Sequence, residues 1–83
     1  MPATDGRQLR AARAILGLTV QETAELAEVN RNSVLRAERQ ARLPQQAWAA
    51  NRISKVFAGR GVICEAGEGG LAVRFAPESR ETP

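Results

Sequence analysis

Residues suited to catalysis or metal binding are scarce in this sequence. Its 83 residues include no histidine, no tyrosine and a single cysteine, Cys64. One cysteine cannot form an intrachain disulfide, and a conventional zinc site needs histidine or several cysteines. As a nucleophile, Cys64 would need a neighbouring base, which this chain hardly supplies. We therefore expect neither an enzyme nor a metal site, and no cofactor.

Long apolar runs are also absent, since the longest extend over only a few residues. A membrane-spanning helix needs about 20 apolar residues, and no signal peptide is recognisable. We expect a soluble, cytoplasmic protein that does not bind a membrane. The length predicts a single domain, 1–83, and a chain of this size buries only about 60% of its unfolded surface. Help from a partner subunit is therefore plausible.

Positive charge comes almost entirely from arginine. Eleven of the twelve basic residues are Arg, Lys55 is the single lysine, and the net charge is +3. The isoelectric point is about 10.4. This balance suits an anionic partner without requiring one. The arginine bias and the fifteen alanines also suggest a GC-rich bacterial or phage genome.

Two short helices joined by a tight turn are predicted in the middle of the chain. Thr19 followed by Glu22 has the spacing of a capping box, so the first helix should begin near Val20. A three-residue turn ends in Asn30, a good cap for a second helix that runs to about Gln40. The inward positions of the first helix are Val20, Thr23, Ala24 and Ala27, with Leu26 at the edge.

The second of these helices has one apolar face and one cationic face. A rotation of about 100° per residue puts Val34, Ala37 and Ala41 on the inner side. Between Arg31 and Arg42 there are four arginines and one acidic residue. Such a pattern is often just a solvated charged face, but Arg and Asn also match guanine and adenine edges. The outward residues are Arg31, Asn32, Leu35, Arg36 and Arg39.

The segment Leu9–Glu38, LRAARAILGLTVQETAELAEVNRNSVLRAE, resembles the helix-turn-helix domains of lambda-repressor-like (XRE family) regulators. The resemblance continues more loosely to about Phe75. It implies a mainly α fold, a four-helix lambda-repressor-like domain, here with a C-terminal β-hairpin. Two departures matter: the family usually has Gly where Glu28 stands, and often Gln where Val20 stands. A non-glycine residue in a left-handed turn costs about 1 kcal/mol or more.

A leading helix from about Gly6 to Leu16 is predicted, capped by Asp5 and closed by Gly17. Its inward stripe contains an arginine, Arg13, which needs a partner. The obvious partner is Glu38, at the margin of the buried face of the third helix, and the resemblance implies such an ion pair. Two separately solvated side chains are the alternative. The stripe comprises Leu9, Ala12, Arg13 and Leu16, assisted by Ile15.

A fourth helix should run from Pro44 to about Ala58, with Pro44 at its first position, so that residues 6–58 form the helical core. Trp48 is expected to be a core anchor beside the inner stripe. Met1–Thr4 should be mobile. The inner stripe is Ala47, Ala50, Ile53 and Phe57, with Val56 beside it.

The remainder, residues 62–75, predicts a β-hairpin with strands Val62–Glu65 and Leu71–Phe75. The intervening glycines could suggest a phosphate-binding loop, but no helix and no Lys-Ser/Thr pair follows. Residues 77–83 are polar and flanked by prolines, which is typical of a disordered tail.

These features predict a sequence-specific, double-stranded DNA-binding transcriptional regulator of the repressor type. The helix Asn30–Gln40 would read the major groove of a near-palindromic operator as part of a homodimer. The alternative is a protein-binding helix-turn-helix module, such as an antitoxin or antiactivator. Base contacts are expected from Arg31, Asn32, Leu35 and Arg36. Backbone contacts are expected from Thr19, Gln21, Ser33 and Arg39.

The hairpin is the expected dimerisation element, because an isolated two-stranded hairpin is marginal in water and has open edges. Its apolar residues could cover the fourth helix while an edge pairs with a second copy. In the rival arrangement the fourth helices, including Trp48, pack against each other. The expected dimerisation residues are Val62, Cys64, Leu71, Val73 and Phe75.

Overall fold

The computed structural model describes residues 3–76. It is mainly α, with four helices followed by a two-stranded antiparallel hairpin. Met1, Pro2 and the predicted disordered tail, residues 77–83, lie outside the described residues. The elements are α1 (Gly6–Leu16), α2 (Val20–Ala27), α3 (Arg31–Arg39), α4 (Trp48–Gly59), β1 (Val62–Gly67) and β2 (Gly70–Phe75).

The first three helices begin at the caps that the sequence indicates. Asp5 and Thr19 each form a capping box, with Gln8 and Glu22 as the returning side chains. The side chain of Asn30 accepts a hydrogen bond from the backbone amide of Asn32, in the first turn of α3, as an N-cap should. These bonds satisfy first-turn amides locally, which is why the starts of α1, α2 and α3 were predictable.

A single core lies between the four helices and β1. Its largest fully buried side chains are Phe57, Leu9, Ile53 and Val34, contributed by three different helices. Ile15, expected to assist the inner stripe of α1, is 42% exposed instead. Among residues 3–76, no helix is long and apolar enough to cross a membrane.

The predicted start of α4 at Pro44 is wrong. The amide of Ala47 donates to the carbonyl of Pro44 over 2.9 Å, which closes a separate turn, and the helix begins only at Trp48. Leu43, just before this turn, is buried in the core. The chain uses residues 44–47 to leave the core, and α4 therefore starts four residues later than predicted. At the first helical position Trp48 is 62% exposed, and the expectation of a core anchor is also wrong.

Ala3 and Thr4 are held in place, contrary to the mobility expected for this part of the chain. Ala3 is buried, and its amide donates to Oγ of Ser54 over 3.0 Å. The amide of Leu43 donates to the carbonyl of Thr4 over 2.9 Å. Ala41, expected on the buried side of the third helix, is exposed because α3 ends at Arg39.

The hairpin is longer than predicted, because its strands meet in a two-residue turn, Glu68-Gly69. β1 supplies core residues: Val62 and Cys64 are 1% and 3% exposed, and burial raises the pKa of the Cys64 thiol. β1 packs against α4 and α1, while β2 lies beside α1. The expectation that the Leu71 face covers the fourth helix is therefore replaced by contact between β1 and α4.

Buried Gln8 joins the hairpin to the start of α1. Its Nε2 donates to the carbonyls of Glu65 (2.8 Å) and Ala72 (3.1 Å), one on each strand. Its Oε1 accepts from the amide of Thr4 over 2.9 Å. One side chain thus connects the N-terminal segment, α1 and both strands.

Candidate functional site

The connection between α2 and α3 is a three-residue turn with one left-handed residue. Glu28 has φ 57° and ψ 46°, a conformation that favours glycine. Arg52 of α4 supports the turn, since its Nε donates to the carbonyl of Ala27 (2.8 Å) and its Nη2 lies 3.0 Å from Oε1 of Glu28. The guanidinium also places positive charge at the C-terminus of α2, where the helix dipole favours it.

A two-point ion pair fixes α3 to α1. Nε of Arg13 lies 2.6 Å from Oε2 of Glu38, and Nη2 lies 3.2 Å from Oε1. The hydrogen bond with Glu38 raises the pKa of Arg13, and Nη1 also donates to the carbonyl of Leu18. The Arg13 side chain is 21% exposed and that of Glu38 is 7% exposed, so the pair predicted from the sequence is largely shielded from water.

The opposite side of α3 is an exposed cationic face. Val34 and Ala37 are buried, so the helix presents its remaining residues outward. Within residues 3–76, no carboxylate forms an ion pair with Arg31, Arg36 or Arg39. Of the five residues predicted to point outward, Leu35 is half-buried. The other four are exposed: Arg31, Asn32, Arg36 and Arg39.

Part of this face is a shallow concavity of about 430 Å³, lined by Asn32, Leu35, Arg36, Arg39 and Gln40. The lining includes amide and guanidinium groups around one apolar side chain. Such a surface can offer hydrogen-bond donors to a polyanion and an apolar contact beside them. No acidic residue is among its lining residues.

The residues predicted to contact a phosphate backbone differ in whether acidic side chains lie beside them. Thr19 is exposed but its hydroxyl oxygen already accepts from the amide of Glu22. Nε2 of Gln21 donates to Oε2 of Glu25 over 3.1 Å. α2 therefore carries a carboxylate beside each of these two candidates, whereas Arg39 is exposed and forms no ion pair within the part of the chain that the structure describes.

A notch between α3 and α4 brings Trp48 close to the cationic face, which sequence reasoning missed. Ser33, Arg36 and Trp48 all line this notch of about 280 Å³. The ring of Trp48 is further supported by Arg52, whose guanidinium carbon lies 5.6 Å from the ring centroid. No local sequence signal identified it, because the exposure of Trp48 depends on where the chain leaves the core before α4.

The predicted dimerisation residues divide into two groups. Val62 and Cys64 pack inside the protomer, so their assignment to an interface is wrong. Leu71 and Phe75 are each 45% exposed, and Val73 is half-buried. Among residues 3–76 there is no cluster of three side chains that could hold a metal ion.

No protein-family model, curated protein or solved structure matches this chain. Its function must therefore be inferred from the geometry and charge of its own residues.

Proposed function

We propose that this protein is a sequence-specific, double-stranded DNA-binding regulator of the lambda-repressor-like helix-turn-helix class. In this proposal α2, the three-residue turn and α3 form the helix-turn-helix unit. The exposed face of α3 enters the major groove, and two protomers read the halves of a near-palindromic site. The proposed role in transcription is that of a repressor.

The observation that carries the proposal is the unpaired arginine face of α3. Within residues 3–76, four arginines outside α3 form ion pairs with carboxylates, whereas Arg10, Arg42 and Arg60 do not. The arginines of α3 also have no carboxylate partner in that range, and they lie together on one face of a helix that is fixed on its other side by buried residues and by the ion pair to α1. A rigid helix with free guanidinium groups suits both phosphates and guanine edges.

Roles on the DNA follow from position along the helix. Arg31 and Asn32 occupy the first turn of α3, the end that approaches base edges in this type of docking. Arg36 lies one turn further along with Leu35, whose side chain could contact a thymine methyl group. Arg39, at the end of α3, would bind phosphate, as would the hydroxyl groups of Thr19 and Ser33. The side chain of Gln21 could bind phosphate only after breaking its hydrogen bond with Glu25.

A protein-binding module is the second candidate, and exposed apolar side chains favour it. Trp48 and Leu26 are 62% and 41% exposed. Glu22 and Glu25 also give the exposed side of α2 a charge that repels phosphates. An antitoxin or antiactivator would use such surfaces to bind another protein.

Anisotropy titrations at two salt concentrations distinguish the two functions. The probes are labelled duplexes from the regions flanking the protein's own gene and random duplexes of equal length. A DNA reader prefers one flanking duplex, and its affinity falls steeply with salt, since about 0.9 counterions are released per phosphate contact. Weak, equal binding to every duplex would contradict the proposal and favour the protein-binding module.

A further inference from the structure

Among residues 3–76, three of the five large apolar side chains that are exposed lie on one side of the molecule. Ile15 of α1 is 42% exposed, and Leu71 and Phe75 of β2 are each 45% exposed. Ile15, Leu71 and Val73 line one open groove between α1 and β2. Exposed apolar clusters of this kind mark surfaces that are covered in the functional state.

The same residues of β2 also present free backbone groups. The amide of Ala76 donates to the carbonyl of Gly61 over 2.8 Å, and Gly67 pairs with Gly70 beside the turn. In an antiparallel ladder, hydrogen-bonded pairs alternate with pairs whose backbone groups point away. The residues whose N–H and C=O groups face outward on β2 are therefore Leu71, Val73 and Phe75. No other strand of residues 3–76 pairs with that edge.

This edge is complementary to itself. If two β2 strands meet antiparallel about a two-fold axis at Val73, each Val73 pairs with the Val73 of the other copy, and Leu71 pairs with Phe75. All outward groups on both strands are then satisfied, by up to about six hydrogen bonds between the copies. Because directly opposed residues share a face, the apolar side chains of the two copies form one continuous surface, flanked by Ile15.

On the other face of the paired β2 strands, the two Arg74 side chains do not repel each other strongly. Arg74 comes near its own copy across the axis, but each Arg74 is neutralised by Glu65 of the same protomer, at 3.1 Å. The other edge of the hairpin is less suitable. Val62 and Cys64 on β1 are already buried against the helices, and pairing there would leave Leu71 and Phe75 uncovered.

We infer that this protein forms a homodimer by pairing the outer edges of its two β2 strands, with the two-fold axis at Val73, into a continuous four-stranded sheet. The inference does not depend on DNA binding, so the two can fail separately. It is an alternative to a dimer in which the α4 helices of two copies pack against each other. Deleting the hairpin cannot test it, because the deletion would remove the core residue Val62.

Sedimentation equilibrium of two matched proline variants tests the edge. Val73→Pro removes an outward amide of β2, and Ala66→Pro removes an outward amide of β1; neither amide belongs to the internal ladder. We expect wild type and Ala66→Pro to reach twice the 9.0 kDa protomer mass. Val73→Pro should dimerise about 10- to 100-fold more weakly, because two hydrogen bonds at the axis are lost. Circular dichroism verifies that each variant is folded.

Several outcomes overturn the inference. A wild-type protein that stays monomeric at all accessible concentrations does so, as does a folded Val73→Pro variant that dimerises as tightly as Ala66→Pro. Should Val73→Pro fail to fold, Phe75→Arg replaces it, because that side chain is 45% exposed and the substitution leaves the ladder intact. An undiminished dimer in Phe75→Arg likewise contradicts the proposal.

Cysteine cross-linking locates the axis independently. A two-fold axis at Val73 brings this residue next to its own copy, so Val73→Cys should cross-link with a short bifunctional maleimide. Glu68→Cys, at the turn and far from the axis, should not, and neither should wild type, because Cys64 is buried. Cross-linking of Glu68→Cys alone would place the axis elsewhere and overturn the register.

Discussion

Gly6 allows the first turn of α1 to lie directly against the end of α3. Its amide donates to the carbonyl of Gln40 over 2.8 Å. A β-carbon at this position would lie 2.2 Å from the carbonyl oxygen of Ala37 and 2.6 Å from that of Glu38. Since both obstacles are backbone atoms, neither can rotate away. The close approach brings the positive end of one helix dipole to the negative end of another.

Replacing Gly6 by Ala should therefore destabilise the protein, by about 1 to 3 kcal/mol or more, because the two helix ends must move apart. Gly59→Ala is the matched control, since a β-carbon there meets nothing within 4 Å. That variant should be neutral or slightly stabilising. Urea unfolding of both variants measures the difference, and equal stabilities would show that the contact at Gly6 is not tight in solution.

The local capping residues were predictable from the sequence, whereas Gly6, Gln8 and Trp48, whose roles depend on distant parts of the chain, were not. Asp5 and Thr19 cap helices through bonds to residues two or three positions away, so their spacing reveals them. Gly6 and Gln8 look like ordinary first-turn residues, because their partners lie more than 30 positions away. Trp48 was misjudged for the same reason: its exposure depends on where the preceding turn leaves the core.

At the scale of elements, the ion pair between Arg13 and Glu38 sets the position of α3 relative to α1. It was predictable because an arginine within an apolar stripe needs a compensating charge, and only one acidic residue lies near the buried face of α3. The start of α4 was not predictable, because Pro44 fits a turn as well as a first helical turn. Burial of Leu43 decides between them, and burial is a property of the whole fold.

Arg13→Ala and Glu38→Ala should each destabilise the fold near the lower end of about 3 to 5 kcal/mol, because each leaves a shielded charge without its partner. A double replacement by Leu and Met should cost much less, since it leaves no orphaned charge. Thermal melts of the three variants provide the measurement. Two single variants with wild-type melting temperatures would show that the pair does not support the helix arrangement.

At the scale of the whole molecule, the cationic face of α3 and the apolar edge of β2 are separate surfaces with separate proposed partners. The first carries arginines that form no ion pair with a carboxylate of residues 3–76, and the second carries exposed apolar side chains and outward backbone groups. A dimer joined at β2 would present two copies of α3 to one duplex. Whether the chain reads DNA depends first on the α3 face.

Base reading by α3 is tested by the specificity ratio, the affinity for a preferred duplex divided by that for a random duplex, of three proteins: wild type, Arg36→Ala and Arg60→Ala. Each is titrated against the preferred duplex and a random duplex of equal length at one salt concentration. Arg60 is an exposed arginine at the far end of α4, so its loss should leave the ratio unchanged. Arg36→Ala should lose about 1 to 3 kcal/mol on the preferred duplex and much less on the random one. Equal losses on both duplexes, or no loss on either, would contradict base reading by α3.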